Sequence, residues 1–472
     1  LTGELDIFDG IERFGDASAL LLEGTRRVSY RDLAGAADRL GECLTDRHLA
    51  FHFAENSEEA VVGYLAFLRA RVPVALLSAA MNPALAARLL DIYRPTYVWL
   101  PLAMADLVPS AKQVRSLGRY GLFTTAAEPC EIHPDLALLM TTSGSTGSPK
   151  FVRQSYRNIA ANTRSIAAYL DIGSADRAIT SLPMNYVYGL SVINSHLLQG
   201  ASLVVTDRGL MEKQFWALMK AHEVTSFSGV PYTYQMLKQL RFGRMNLPSL
   251  RTLTQAGGKL PVELATEFAG LCRDKGIRFF IMYGAAEATA RMSYLPPEHS
   301  VEKAGSIGYP IPGGSFTIVD ENGNDVNGDG GVGELVYRGA NVTMGYATSR
   351  EDLARGDENA GVLHTGDIAR RDADGFYYIV GRKSRFIKIF GNRVGLEDIE
   401  HQLRALGIDC ACAGRDDKLR IFVVRQEDCA TASVAVRDLT GLHHSAFSVT
   451  VLDKIPRNEV GKIVYSELPE GD

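Results

Sequence analysis

Through the middle of the chain, apolar positions alternate between short continuous runs and a helical period. SLVVT (202–206) predicts a buried strand, and MEKQFWALMKAHE (211–223) spaces its apolar residues as an amphipathic helix. VTSFSGV (224–230) and LRTLTQA (250–256) predict further strands. After them Pro261 suits a first helical position, Leu264, Phe268, Leu271 and Cys272 fall on one face, and Gly276 suits the stop. IRFFIMYG (277–284) is the next strand. This β-α-β-α-β rhythm predicts a parallel sheet with helices on its faces.

Beyond about residue 300 the pattern changes. Gly and Asp clusters, as in DENGNDVNGDGGVGE, separate short runs such as SFTIVD and ELVYRG, which predict antiparallel hairpins. From about 383 it changes again: RFIKIF, LRIFVV and SVTVL are strand-like, and LEDIEHQLRAL (396–406) is helix-like. The expected architecture is therefore α/β. A large N-terminal domain over 1–382 carries helix-covered sheets and a small β-barrel-like antiparallel part at about 300–380. A small α+β domain occupies 383–472, and the polar, basic GRKSR (381–385) is the linker candidate. No internal repeat or low-complexity segment interrupts this plan.

Composition narrows the class. At 472 residues the chain is too long for one ordinary core. Its 46% hydrophobic and 22% charged content is that of a globular protein. A net charge of -5 argues against nucleic acid as a partner. Cys43, Cys130, Cys272, Cys410, Cys412 and Cys429 form no CxxC, which disfavours a zinc site or a disulfide framework. The first residues do not resemble a signal peptide, and the most apolar region, 61–81, is broken by Arg69 and Arg71, so no membrane span is expected. A cytoplasmic setting follows.

The strand-like LALLM (136–140) runs into TTSGSTGSPK (141–150). Small residues there let backbone N–H groups point into one concavity, hydroxyls add donors and Lys150 adds positive charge, a combination suited to polyphosphate. It is not the GxxxxGK[ST] loop, because Pro149 precedes the lysine and Phe151 follows it. Taken alone it also reads as a plain surface loop.

The string resembles the phosphate-loop signature of the adenylate-forming superfamily, which includes acyl-CoA synthetases, aryl-acid ligases, adenylation domains and firefly-type luciferases. Further motifs of that family occur in order: GVPYTYQML (229–237), QAGGKL (255–260), YGAAE (283–287), GSIGYPIPG (305–313), GELVYRG (333–339), HTGDIARRDADGFYYIVGRKSRFIKIFGNRVGLEDIE (364–400) and PRNEVGKI (456–463). The ordered set covers roughly residues 130–465 and is far more specific than any member of it.

The resemblance implies ATP and Mg²⁺ as cofactors, with CoA or pantetheine beside them. Thr142, Ser143, Gly144, Ser145, Thr146, Gly147 and Lys150 would hold phosphates. Tyr283 would stack on adenine, with Gly257, Gly258, Gly284, Ala286 and Ile379 lining the nucleotide site. Glu287 would bind the Mg²⁺, Asp367 and Arg382 the ribose, and Lys462 would be the catalytic lysine. The acid pocket would use Tyr186, Ser228, Gly258 and Ile281. Gly391 would let a pantetheine arm pass, and Ser384 would be the hinge of a mobile C-terminal domain. An acceptor-only Asp suits two hydroxyl donors, although an Asp in HTGD alone reads as a turn residue.

Two positions depart from the family pattern. Ala286 stands where relatives usually carry Thr, which removes one hydroxyl donor worth about 0.5–1.5 kcal/mol. Ser384 stands where they commonly carry Asp or Lys. The expected activity is ATP-dependent acid–thiol ligation: a carboxylic acid becomes an acyl-adenylate, and the acyl group then passes to CoA or to an acyl or peptidyl carrier protein. A homodimer stays open. No acidic residue lies between Asp176 and Asp207 to hold a substrate ammonium, which disfavours an α-amino acid and leaves fatty, aryl or polyketide-like acids. Arg291 could pair with a second carboxylate, but reads more readily as a solvated arginine. The alternatives are an amino-acid-activating enzyme, an adenylating enzyme that does not use CoA, and a nucleotide-binding relative without turnover.

Overall fold

The computed structural model describes residues 8–141, 150–326, 328, 330–383, 386–389, 392–415, 418–440, 442–458, 461 and 463–469. By compactness the chain divides into two units. The first comprises 8–141, 150–315 and 337–363; the second comprises 316–336 and the described part of 364–469. The antiparallel part after 315 thus groups with the C-terminal segment.

Two sheets build the first unit. In the nine-stranded sheet, Arg278–Tyr283, Thr252–Gln255, Ser226–Gly229, Arg177–Ile179, Ser202–Val204 and Ser18–Leu21 run side by side in parallel, as the β-α-β rhythm predicts. Short antiparallel strands finish both edges. In the eight-stranded sheet, Leu136–Thr141, Val74–Ser78, Ala50–Ala54 and Tyr97–Pro101 form the parallel centre.

One core joins the two sheets through helices, among them Tyr30–Gly41, Glu58–Arg69, Tyr156–Tyr169 and Val187–Leu198. The apolar region 61–81 resolves into the helix Glu58–Arg69 and the strand Val74–Ser78. That helix buries nine consecutive residues, Ala60 to Leu68, so it is apolar all round because it is covered all round. Among the described residues no helix is long and apolar enough to cross a membrane.

The helix expected to begin at Pro261 begins one residue later. Pro261 is its N-cap, the helix is Val262–Asp274, and Gly276 follows its end at φ 68°. Leu264, Phe268 and Cys272 are buried on its inner face. In the second unit, Gly314–Val319, Val332–Gly339, Val362–Arg371 and Tyr377–Arg382 form a four-stranded sheet. The C-terminal segment packs Leu396–Ala405 and Asp428–Thr440 on the three-stranded sheet of Cys410–Arg415, Lys418–Val423 and Phe447–Val451. Its core includes Ile399, Leu403, Ile421 and Val436.

Candidate active site

Parallel register brings three distant motifs together. Gly229 pairs with Gln255, and Gln255 with Ile281. GVP, QAGG and YGAAE therefore all leave the sheet at neighbouring carboxyl ends, where open α/β sheets bind ligands. Gly257 turns at φ 86°, and a Cβ on it would lie 2.5 Å from the Tyr186 hydroxyl. The sequence candidates Tyr186 and Gly257 are thus neighbours. Gln255 donates from Nε2 to the Gly258 carbonyl at 2.9 Å, fixing the next residue of that turn.

After Tyr283 the chain folds back at once. A Cβ on Gly284 would meet the Ala290 carbonyl oxygen at 2.0 Å, so the YG step requires glycine for close backbone approach. A short 3₁₀ turn, Ala286–Ala288, follows, and Thr289 closes it at φ 65°. Residues 340–346 fasten this turn. Thr289 Oγ1 donates to the Asn341 carbonyl at 2.7 Å, and Asn341 Nδ2 donates to the carbonyls of Ala288 and Arg291. Thr343 donates through both N–H and Oγ1 to the Glu287 carbonyl at 3.0 Å.

The Glu287 side chain is held as well: Tyr346 donates its hydroxyl to Oε1 at 2.6 Å. The Lys150 ammonium lies 4.0 Å from the centroid of the same tyrosine ring, a cation–π contact. Tyr346 therefore ties Lys150, at the end of the predicted phosphate loop, to the predicted metal ligand. Its own place is set by pairing with Val152 across an antiparallel edge. Arg153 locks that edge. It is fully buried and donates to the carbonyls of Met344, Tyr346, Arg355 and Gly356 and to the Glu358 carboxylate. Asn158, in the capping box of Tyr156–Tyr169, donates to the Ala340 and Val342 carbonyls.

Among the described residues no three His, Cys, Asp or Glu side chains gather as a metal cluster. A single carboxylate with one oxygen oriented by a hydroxyl fits a magnesium ion that arrives on nucleotide phosphates and keeps water ligands.

Beside Tyr186 the helix Val187–Leu198 begins, and a small cavity of ≈ 10 Å³, room for about one water, lies behind it. Ser228, Thr254, Tyr188, Met282 and Arg291 are on its wall; Tyr186, Gly258 and Ile281 are not. Ile281 and Met282 are adjacent on one strand and face opposite sides, so Met282 is the one turned to the cavity. Ser228 Oγ and Tyr188 Oη lie 2.9 and 2.7 Å from Thr254 Oγ1. Burial raises the pKa of the Tyr186 and Tyr188 hydroxyls, against the opposing pull of the Arg291 charge. Arg291 itself corrects the sequence reading. It is 2% exposed, because the tight Tyr283–Arg291 turn aims it inward instead of into solvent.

In the second unit Asp367 and Arg382 face each other across an antiparallel pair, with Arg382 Nε 3.1 Å from Asp367 Oδ1. Ile379 lies on the Arg382 strand, opposite Ala369. Glu334, in the GELVYRG motif, accepts from the Gly366 N–H and pairs with Lys383 at 3.1 Å, bracing the HTGD turn. Burial raises the Glu334 pKa, but the Lys383 hydrogen bond and charge outweigh it and hold the carboxyl below its ordinary value.

The expectations at Thr142, Ser143, Gly144, Ser145, Thr146, Gly147, Ser384, Gly391 and Lys462 lie outside the described residues. Next to Lys462, Gly461 turns at φ 74° and donates its N–H to the Asn458 carbonyl at 2.8 Å, and Arg457 bridges to Ile463. Tyr346, Arg153, Asn158 and Asn341 escaped the sequence reading. Contacts between segments some 50 to 200 residues apart give them their places.

Residues 7–347 match the family described as AMP-binding enzyme. The 2-succinylbenzoate–CoA ligase of Bacillus subtilis (strain 168) is 29% identical over 364 residues, 74% of this chain and 73% of that protein. The long-chain-fatty-acid–CoA ligase of Salmonella typhimurium is 30% identical over 389 residues, covering 76% of this chain and 66% of its own length. Among solved structures, the O-succinylbenzoate Coenzyme A synthetase of Bacillus subtilis is similar in fold. Its AMP complex aligns with a TM-score of 0.79 at 24% identity, over 98% of both chains. Its complex with ATP and magnesium ion aligns at 0.78 and 23%, also over 98% of both. With three of the motifs gathered at neighbouring strand ends and the matched segment spanning most of the sequence, this chain belongs to the AMP-binding enzyme family.

Proposed function

We propose that this chain is an ATP-dependent acid–thiol ligase, which activates a carboxylic acid as an acyl-adenylate and passes the acyl group to the thiol of CoA or of a carrier-protein pantetheine. The observation that carries the reading is the Lys150–Tyr346–Glu287 contact beside the carboxyl ends of the parallel strands. It sets one cation and one carboxylate, the two groups a magnesium nucleotide needs, at the turn that follows the Arg278–Tyr283 strand.

In the first step the acid carboxylate attacks the α-phosphorus, the P–O bond to pyrophosphate breaks, and negative charge builds on the phosphoryl oxygens. Lys150, Lys462 and the backbone N–H groups of the phosphate loop offset that charge. Glu287 would hold the magnesium ion that accompanies the nucleotide, which would supply further positive charge. No general base is required, because the carboxylate is already ionised at neutral pH. Tyr283 stacks on adenine. Asp367 accepts from the ribose hydroxyls, with Arg382 keeping its carboxylate oriented. In the second step the thiol sulfur attacks the acyl carbonyl, AMP leaves with the bonding electrons, and the thiol proton passes to solvent. Rotation of the segment after residue 382 about Ser384 exchanges the two steps, and Gly391 gives the pantetheine arm room. The setting is cytoplasmic.

The test is acid-dependent pyrophosphate release with and without CoA, using 2-succinylbenzoate and long-chain fatty acids, the acids named by the relatives, and aryl acids. Lys462→Ala serves as the control. We expect release with at least one acid, acyl-thioester only when CoA is added, and loss of release in the variant while ATP still binds. Undiminished pyrophosphate exchange in Lys462→Ala would sink the mechanism.

A further inference from the structure

We propose that the acid activated by this enzyme carries a second carboxylate at its far end, and that Arg291 receives it. The inference rests on the ligase reading above and names the substrate class of that site. Arg291 is 2% exposed and lines the cavity behind Tyr186. Among the described residues the neighbours it contacts are neutral. The Tyr188 ring lies 3.9 Å from the guanidinium carbon, the Ala290 carbonyl accepts from an Nη at 3.4 Å, and the Tyr169 hydroxyl shares a side-chain hydrogen bond. Its Nε has no acceptor. No carboxylate pairs with it among the described residues. Asp176, which lines the adjoining cavity, is taken by Arg251 at 3.3 Å.

A buried guanidinium without a counter-charge is costly. Structural arginines of this protein show the usual remedy. Arg153, equally buried, has Glu358 at 2.7 Å and four carbonyls. Arg291 has the burial without that remedy, and it borders a water-sized gap instead of a carboxylate. The Tyr188 ring packs against the guanidinium, whose Nε edge is the one left to match a carboxylate. Tyr188, Thr254 and Ser228 add a connected row of hydroxyls on the same wall. An α-amino acid is disfavoured more strongly than the sequence implied, since its ammonium would meet this cation.

The experiment compares matched acids on the unaltered protein: succinate, glutarate, adipate and isophthalate, each against its own monoamide. Every pair keeps one activatable carboxyl and differs only in the distal charge. Pyrophosphate release gives kcat/KM for each. For whichever pair turns over, we expect the diacid to exceed the monoamide by at least about 30-fold, with the difference in KM, as for a charge pair buried with one partner missing. Arg291→Gln is expected to collapse that ratio to within a few-fold, and Arg291→Lys to restore part of it. Equal turnover of diacid and monoamide by the unaltered protein overturns the inference and leaves the ligase reading standing. A ratio preserved in Arg291→Gln also overturns it. Absence of acid-dependent release with every acid, these and those above, would overturn the ligase reading itself and this inference with it.

Discussion

Tyr346 shows how much of a site can rest on a residue that carries no signature. Its hydroxyl orients Glu287 and its ring receives Lys150, yet in the sequence it is one aromatic among nineteen tyrosines. It reaches the site only because its strand pairs with Val152, almost 200 positions earlier. Ala286 makes the neighbouring point. Its methyl cannot donate, and the hydroxyl of nearby Thr289 is already given to the Asn341 carbonyl. Tyr346 is then the side chain that donates to the Glu287 carboxylate. Tyr346→Phe keeps the ring and removes the donor to an ionised group, a bond worth about 1.5–3 kcal/mol. We expect the magnesium concentration for half-maximal pyrophosphate release to rise about 10-fold, with the acid KM little changed. An unaltered magnesium dependence would remove Tyr346 from the machinery.

At the scale of elements, the parallel strands and their motifs were legible because each strand is a short apolar run that ends in glycine or a polar turn. The carboxyl-end placement of QAGG and YGAAE follows once those strands are parallel. The helix Glu58–Arg69 was not legible as a helix, since burial on every side erases the amphipathic period. The inward turn of Arg291 was hidden for a different reason: it depends on the close approach at Gly284 and on Asn341 from a distant segment.

The central strand Ala50–Ala54 likewise conceals His52, fully buried against Phe67 and Tyr120 with neither ring nitrogen bonded. Burial lowers its pKa from 6.5 to about 3. The unfolded chain therefore takes up a proton below about pH 6.5 that the folded chain refuses. The stability contributed by the neutral ring is complete above that value. It is lost at about 1.4 kcal/mol per pH unit as pH falls toward 3. His196, lowered by burial despite its Val192 hydrogen bond and Asp176, acts with the same sign. His52→Leu is expected to flatten the acid side of the Tm–pH curve between pH 6 and 4.5. Parallel curves for the two proteins would show that this histidine does not set acid stability.

The whole molecule divides its labour between two compact units, and the division bears on the order of the two chemical steps. The first unit holds the cavity, the glycine turn and the Lys150–Tyr346–Glu287 contact. The second holds the Asp367–Arg382 pair, and Lys462 belongs to its segment of the chain. On the proposed mechanism the C-terminal segment would present one face for adenylation and another for the thiol. A change confined to the linker should then separate the half-reactions without touching either set of contacts. Ser384→Pro fixes φ near -65° and removes a backbone donor, restricting rotation at that step. If the adenylating arrangement is the one retained, pyrophosphate exchange should stay within a few-fold of the unaltered enzyme while CoA-dependent thioester formation falls at least about 10-fold, a loss of roughly 1.4 kcal/mol or more in transition-state stabilisation. If the thiol arrangement is retained, the asymmetry reverses. Single-turnover measurements of the two steps decide between these. Equal loss in both, or in neither, would place the pivot elsewhere in the chain.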